Sequence, residues 1–201
     1  MRLDLARVAD HEAVGVTDAE RRAAVLAPVI DRDGADHVLF TKRADHLGEH
    51  PGQMSFPGGG REPSDGAPAD TALREAEEEI GLRPAEAEIV GRLDDVRTVS
   101  GYAVRPFVGR VPDRAYDPDR REVAEIAVLP VAGFVDRANY ASERREHPHH
   151  GEIRLHFFYV GGYTVWGATA RMLAQLLELA ADWHPPATAG RTIDPDADPR
   201  R

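Results

Sequence analysis

The chain has 201 residues, 42% of them hydrophobic and 30% charged, the composition of one soluble globular domain with ordinary surface and terminal extensions. It contains no cysteine, which excludes disulfides, zinc-cysteine sites and thiol catalysis and fits a cytoplasmic protein. A formal net charge of -10 argues against nucleic acid as a partner, since that affinity would come from clustered Lys and Arg; an anionic substrate would need a bound cation or local arginines.

The first residues, "MRLDLARVADHE", carry a charge every second or third position and offer no apolar stretch for a secretory signal. No window approaches the ~20 uncharged apolar residues of a bilayer crossing, so no membrane partner is expected. Residues 1–22 read as an N-terminal extension of a single domain that runs to residue 183. Within it, Thr17–Glu20, "TDAE", has capping-box spacing and predicts a short helix. "AAVLAPVI" and "DHVLFTKR" follow as two strands around the polar turn "DRDGA", a hairpin pattern.

The Gly- and Pro-rich stretch "EHPGQMSFPGGGREPSDGAP" predicts loop, apart from a short strand around Met54–Phe56. Asp65 and Pro68 signal the start of a helix and Gly81 its end. Strands are expected at "AEIVGRL", "YAVRPFVGRV" and "EVAEIAVLPV". In "IRLHFFYV", Ile153, Leu155, Phe157 and Tyr159 alternate with Arg154 and His156 as in a half-buried strand. "WGATARMLAQLLELAADW" reads as a second amphipathic helix with Trp166 and Met172 on its core face. Residues 184–201, with four prolines in "HPPATAGRTIDPDADPRR", predict a flexible tail. Strands around two substantial helices, joined by hairpins and crossovers, indicate an α+β or mixed α/β sandwich.

The chemistry concentrates in "REAEEEIGL", Arg74–Leu82. At 100° per residue, Ala69, Leu73, Ala76 and Ile80 fall on a core-facing arc, while Glu75, Glu78 and Glu79 share another arc at i, i+3, i+4 and Glu77 projects elsewhere. A solvated acidic face would cost only about 0.2–0.5 kcal/mol per like-charged i,i+4 pair. Alternatively, three carboxylates on one rigid face form a hard-cation site for Mg²⁺ or Mn²⁺. "FPGGG", about fifteen residues upstream, supplies a loop whose backbone can approach a metal or phosphate closely. The histidines of "HPHHG", His147 to Gly151, read as a solvated polar turn.

Together, "FPGGGREPSDGAPADTALREAEEEIGL" resembles the Nudix box, the loop–helix–loop signature of hydrolases that split nucleoside diphosphates linked to another moiety. "LFTKRADHLGEHPGQMSFPGG", Leu39–Gly59, and later "SGYAVRPFVGRV", "EVAEIAVLPV" and "VWGATARML" look like the coenzyme A pyrophosphatase branch of that family. Gly66 stands where the general box has Glu, with Asp65 the nearest carboxylate, and Gly48 stands where the branch usually has Arg.

The resemblance implies a Nudix-like α/β/α sandwich with a mixed central sheet. It implies that Glu75, Glu78 and Glu79 with the Gly59 carbonyl bind Mg²⁺ or Mn²⁺, and that Arg74 orients the glutamates. Glu78, Glu122 and Glu125 are the candidates for the base that takes a proton from water. Thr41, Arg43, His50, Gln53 and Gly58 are candidates for the substrate side, Arg43 foremost because a guanidinium suits bidentate phosphate recognition. The implied substrate is a small nucleotide, coenzyme A or its thioesters, cleaved to 3',5'-ADP and 4'-phosphopantetheine. ADP-ribose, a dinucleoside polyphosphate or a nucleoside triphosphate remains an alternative, as does a non-catalytic nucleotide sensor; a homodimer is left open.

Overall fold

A computed structural model describes residues 1–47, 51–98, 101–147 and 151–187. Gly48, His50, His149, His150 and most of the expected tail lie outside the described residues. The elements in chain order are α1 (Ala6–Ala9), β1 (Arg21–Arg32), β2 (Ala35–Arg43), β3 (Met54–Ser55), β4 (Gly58–Gly60), α2 (Pro68–Ile80), β5 (Glu88–Arg92) and β6 (Val96–Arg97). They continue with β7 (Tyr102–Val111), β8 (Val123–Pro130), α3 (Val131–Val135), β9 (Tyr140–His147), β10 (Gly151–Val160), β11 (Tyr163–Trp166) and α4 (Gly167–Ala180).

The central sheet is mixed, as expected. Its main path runs β3-β2-β1-β7-β5, with β4 added to β1, β6 to β7 and β8 to β2. β1 and β7 are parallel and the other pairs antiparallel. β9, β10 and β11 form a separate three-stranded sheet. The β1–β2 hairpin closes on Asp33 (φ 52°) and Gly34 (φ 78°), the paired left-handed conformations that match the twist of the two strands.

β1 is buried without interruption from Ala24 to Ile30, the pattern of a strand covered on both faces. Ala24, Leu26 and Ile30, with Leu39 of β2, pack under α2 against Ala72, Ala76 and Ile80. Val25, Ala27 and Val29, with Val38 and Phe40, face the opposite layer, which includes Phe158 of β10 and Leu173, Leu176 and Leu177 of α4. The result is the α/β/α arrangement, with α2 alone on one face and α4 plus the small sheet on the other.

Several local expectations are corrected. Thr17–Glu20 forms no helix; the neighbouring Val14 and Val16 N–H groups donate to Asp94 and Asp95 across the fold, and Arg22 takes the carbonyls of Val16 and Thr17. A helix forms instead at α1, where Leu5 and Val8 are buried with Leu3. The Gly58–Gly60 segment, expected as loop, is strand β4. On α2 the buried positions are Thr71, Ala72, Ala76 and Ile80, whereas Ala69 and Leu73 are half-buried. The alternation in β10 breaks at Phe157 and Phe158, both of which are buried. Trp166 precedes α4 and is half-buried, while Met172 does lie in the core.

Candidate active site

α2 begins at Pro68, whose ring fixes a helical φ and whose missing N–H costs nothing in the first turn, and it stops at Gly81 in the left-handed conformation (φ 65°). Between these punctuation marks, Thr71, Glu75 and Glu79 fall at successive i+4 positions on the helix edge beside β4. There the chain approaches too closely for a side chain at Gly58 or Gly59, whereas Gly60 faces open space. A Cβ on Gly59 would lie 2.5 Å from Glu75 Oε1. One on Gly58, whose φ is +154°, would lie 2.4 Å from the Ala24 carbonyl oxygen and 2.5 Å from Val25 Cα. The glycines therefore let the acidic helix edge settle onto the sheet.

The Gly58 N–H donates to Glu79 Oε2 at 3.2 Å. Burial pushes the Glu79 carboxyl up to about 8, against the pull of that hydrogen bond; Glu75 and Glu122 push it in the same direction as burial, and Arg43 opposes them. Burial also raises Glu75, opposed first by Arg74. Glu78 is different: its side chain is 58% exposed and pairs with Arg74 at the rim.

Arg74 binds this edge together. Its guanidinium donates to Asp65 Oδ1 (3.1 Å), the Gly60 carbonyl (3.0 Å), Glu75 Oε1 (3.0 Å) and Glu78 Oε2 (3.1 Å). Asp65 is the anchor of that hub. It is buried, accepts the Glu62 N–H and the Thr71 hydroxyl at 2.8 Å each, and is held down at about 2, chiefly by Arg74. The sequence marks Asp65 as a helix-start signal and as the carboxylate nearest the box glutamate position; its anchoring role depends on the buried Thr71 hydroxyl and on the reach of Arg74 across the loop.

The remaining candidates scatter around this centre. The Asp119 N–H donates to the Glu79 carbonyl (2.9 Å), which brings the 119–122 turn to the C-terminal end of α2 and lets the Glu122 charge act on Glu75 and Glu79. Glu125 lies on the alternate face of β8 from Ile126, which packs toward α2, and it accepts a hydrogen bond from the Tyr163 hydroxyl of β11. Thr41 is buried, 3.0 Å from the Ser55 hydroxyl between β2 and β3. Gln53 is half-buried beside Gly167, where α4 starts. The structure thus gathers Arg43, Gly58, Gly59, Arg74, Glu75, Glu79 and Glu122, with Glu78 at the exposed rim, and leaves Thr41, Gln53 and Glu125 outside that group.

The donor set fits a hard divalent cation: carboxylate oxygens and the carbonyls of a glycine strand, with a buried carboxylate whose ionisation burial alone disfavours. Among the described residues, no three His, Asp or Glu side chains already converge as a metal shell. Arg74 holds one oxygen each of Glu75 and Glu78, which leaves the other oxygen of each carboxylate for a cation.

The NUDIX domain family pattern matches residues 20–154. The chain is 38% identical over 160 residues to an uncharacterized Nudix hydrolase, NudL, of Enterobacter sp. strain 638, covering 78% of this chain and 81% of the relative. It is 38% identical over 162 residues to the NudL protein of Yersinia pestis strain Pestoides F, covering 79% of each. Among solved structures, a MutT/nudix family protein of Enterococcus faecalis superposes with a TM-score of 0.52 at 11% identity, over 81% of this chain and 62% of that one, a likeness of fold.

Proposed function

Because the chain belongs to the Nudix hydrolase family, whose members generally use divalent metals on phosphoric anhydrides, we propose that its glutamate centre hydrolyses the pyrophosphate of coenzyme A or its thioesters, giving 3',5'-ADP and 4'-phosphopantetheine. The observation that carries the proposal is the seating of the Glu75 and Glu79 carboxylates against the glycine strand, with the charge of Arg43 acting on Glu79. Mg²⁺ or Mn²⁺ bound there supplies Lewis-acid activation of the phosphorus and a template for the pyrophosphate.

Glu75 and Glu79 offer their oxygens from one helix edge, and the Gly59 carbonyl is the backbone ligand proposed beside them. Arg74 bridges Glu75 and Glu78 and donates directly to the Gly60 carbonyl, with Asp65 anchoring its guanidinium. Arg43 carries a fixed positive charge to the phosphate side of the site. For the proton of the attacking water, Glu78 is an exposed candidate base, and Glu122 brings a second carboxylate into the field of Glu75 and Glu79. Glu125 would have to give up its hydrogen bond from Tyr163 to do so.

The test is a panel of diphosphates, namely coenzyme A, an acyl-coenzyme A, ADP-ribose, a dinucleoside polyphosphate and a nucleoside triphosphate, compared by kcat/KM with Mg²⁺ and with Mn²⁺. Release of 3',5'-ADP from coenzyme A at the highest efficiency supports the assignment. Cleavage of the other compounds without 3',5'-ADP release from coenzyme A overturns the substrate and keeps the class.

A further inference from the structure

On the α2 face of the central sheet, one helical turn before Glu75, a cavity of about 180 Å³ opens between the first residues of β1, β7 and α2. That is room for several water-sized groups at roughly 30 Å³ each. Ala24 and Thr71, both buried, line it, and three arginines face it: Arg22 of β1, Arg61 just after β4, and Arg105 of β7.

The arginines are unequally employed. Asp95, the carboxylate of this cavity, accepts from Arg105 Nε (2.9 Å) and Nη2 (2.8 Å), from the Val16 N–H (2.9 Å) and more distantly from Arg92 (3.4 Å). Its charge is therefore already shared by two guanidiniums. Arg22 donates only to the carbonyls of Val16 (3.2 Å) and Thr17 (2.9 Å), and Arg61 only to the carbonyl of Asp65 (3.3 Å). Among the described residues neither has a carboxylate partner. In a chain with a net charge of -10, two arginines without a counter-charge at one cavity form a local positive well.

Planar guanidiniums with free N–H groups match the oxygens of a phosphoryl group, and two of them match its double charge.

We propose that this cavity is a second binding site, for a phosphoryl-bearing anion, which operates without a divalent cation and is separate from the glutamate centre. It stands independently of the reaction assigned above, because none of its residues belongs to the proposed catalytic set. The same chemistry could come from a free inorganic anion or from the phosphate of a nucleotide, and two probes separate these sources.

The experiment titrates the whole chain, in EDTA and at low salt, with inorganic pyrophosphate and with adenosine 3',5'-bisphosphate, using calorimetry. Saturable binding of either probe is expected, weakened about tenfold or more by the double change Arg22→Gln and Arg61→Gln and left within about twofold by Glu79→Gln or Arg43→Gln. Binding of pyrophosphate alone assigns the site to a free anion; binding of both assigns it to the shared phosphoryl group. Should the double variant not fold, Arg61→Gln alone, at an exposed position, carries the comparison. The proposal is overturned if neither probe binds at millimolar concentration, or if the loss follows Arg43→Gln or Glu79→Gln and not the Arg22 and Arg61 changes.

Discussion

Adding one methyl group at Gly58 and one at Gly59 should give opposite phenotypes. At Gly59 the new Cβ would sit 2.5 Å from Glu75 Oε1 and 2.6 Å from its Cδ. Ordinary contact begins at about 3.5 Å, so the carboxylate must retreat by roughly 1 Å. The atoms in the way are the end of a flexible side chain, and the strand itself keeps its register with Ala24. The expected cost therefore falls on function: a misplacement of about 1 Å at a positioned group is worth roughly 10²-fold in rate. At Gly58 the obstacle is the backbone of β1, at 2.4–2.5 Å, and φ is +154°. Nothing there can step aside cheaply, so Gly58→Ala should cost about 1–3 kcal/mol or more of stability. At about 2–4 °C per kcal/mol for a chain of this size, Tm should fall by several degrees. Thermal unfolding and kcat/KM, measured on both variants and the wild type, check the pair. If Gly59→Ala kept full kcat/KM, or Gly58→Ala the wild-type Tm, the close contact between helix edge and glycine strand would not be what shapes this centre.

Three further outcomes follow from the same contacts. Glu79→Gln should abolish most of the turnover while also weakening Mn²⁺ binding measured directly by electron paramagnetic resonance; unchanged Mn²⁺ affinity would remove Glu79 from the metal site. Asp65→Asn should lower kcat/KM about tenfold or more by releasing Arg74, and Arg74→Lys should not restore the network, because a single ammonium cannot reach four acceptors in a fixed fork; an active Arg74→Lys enzyme would refute the hub. His156 lies next to the Tyr140 hydroxyl (2.8 Å), and burial first, then the charges of Arg154 and Arg171, lowers it to about 4. Since the folded value is below the unfolded 6.5, its contribution is fully present above pH 6.5 and is lost as pH falls toward 4. The loss should be about 2–3 kcal/mol, read as the difference between wild type and His156→Gln in urea unfolding at the two ends of that window. Parallel pH profiles for the two proteins would contradict it.

Elements with local punctuation were legible before the structure: the β1–β2 hairpin from its Asp-Gly turn, and α2 from Pro68 and Gly81. What was not legible depends on long-range partners. Three successive glycines have no strand propensity, yet Gly58–Gly60 is a strand because the first residues of β1 offer it an edge, with Gly58 crowded by β1 itself and Gly59 by Glu75 of α2. Thr71 reads as polar and is wholly buried, because Asp65 accepts its hydroxyl; that pulls the buried arc of the helix away from Ala69 and Leu73. The glutamate spacing placed Glu75 and Glu79 together, but periodicity cannot tell a seated carboxylate from an exposed one, and Glu78 is the exposed one. Glu122 and Glu125 look equivalent in "REVAEI"; β8 pairing and its alternation send Glu125 to Tyr163 and leave Glu122 at the turn beside α2.

The parallel ladder between β1 and β7 joins residues 21–30 to residues 102–111, about eighty positions apart. Such a pairing is entropically expensive to nucleate and forms late compared with a hairpin or a helix. The glycine strand hangs on the N-terminal half of β1, the same half that β7 must clasp. During refolding, helical signal should therefore recover before the carboxylates have a floor to rest on, and an early intermediate would carry the acidic sequence without the chemistry. Catalytic competence in this chain is then a reporter of a long-range parallel pairing, sharper than any spectroscopic measure of secondary structure.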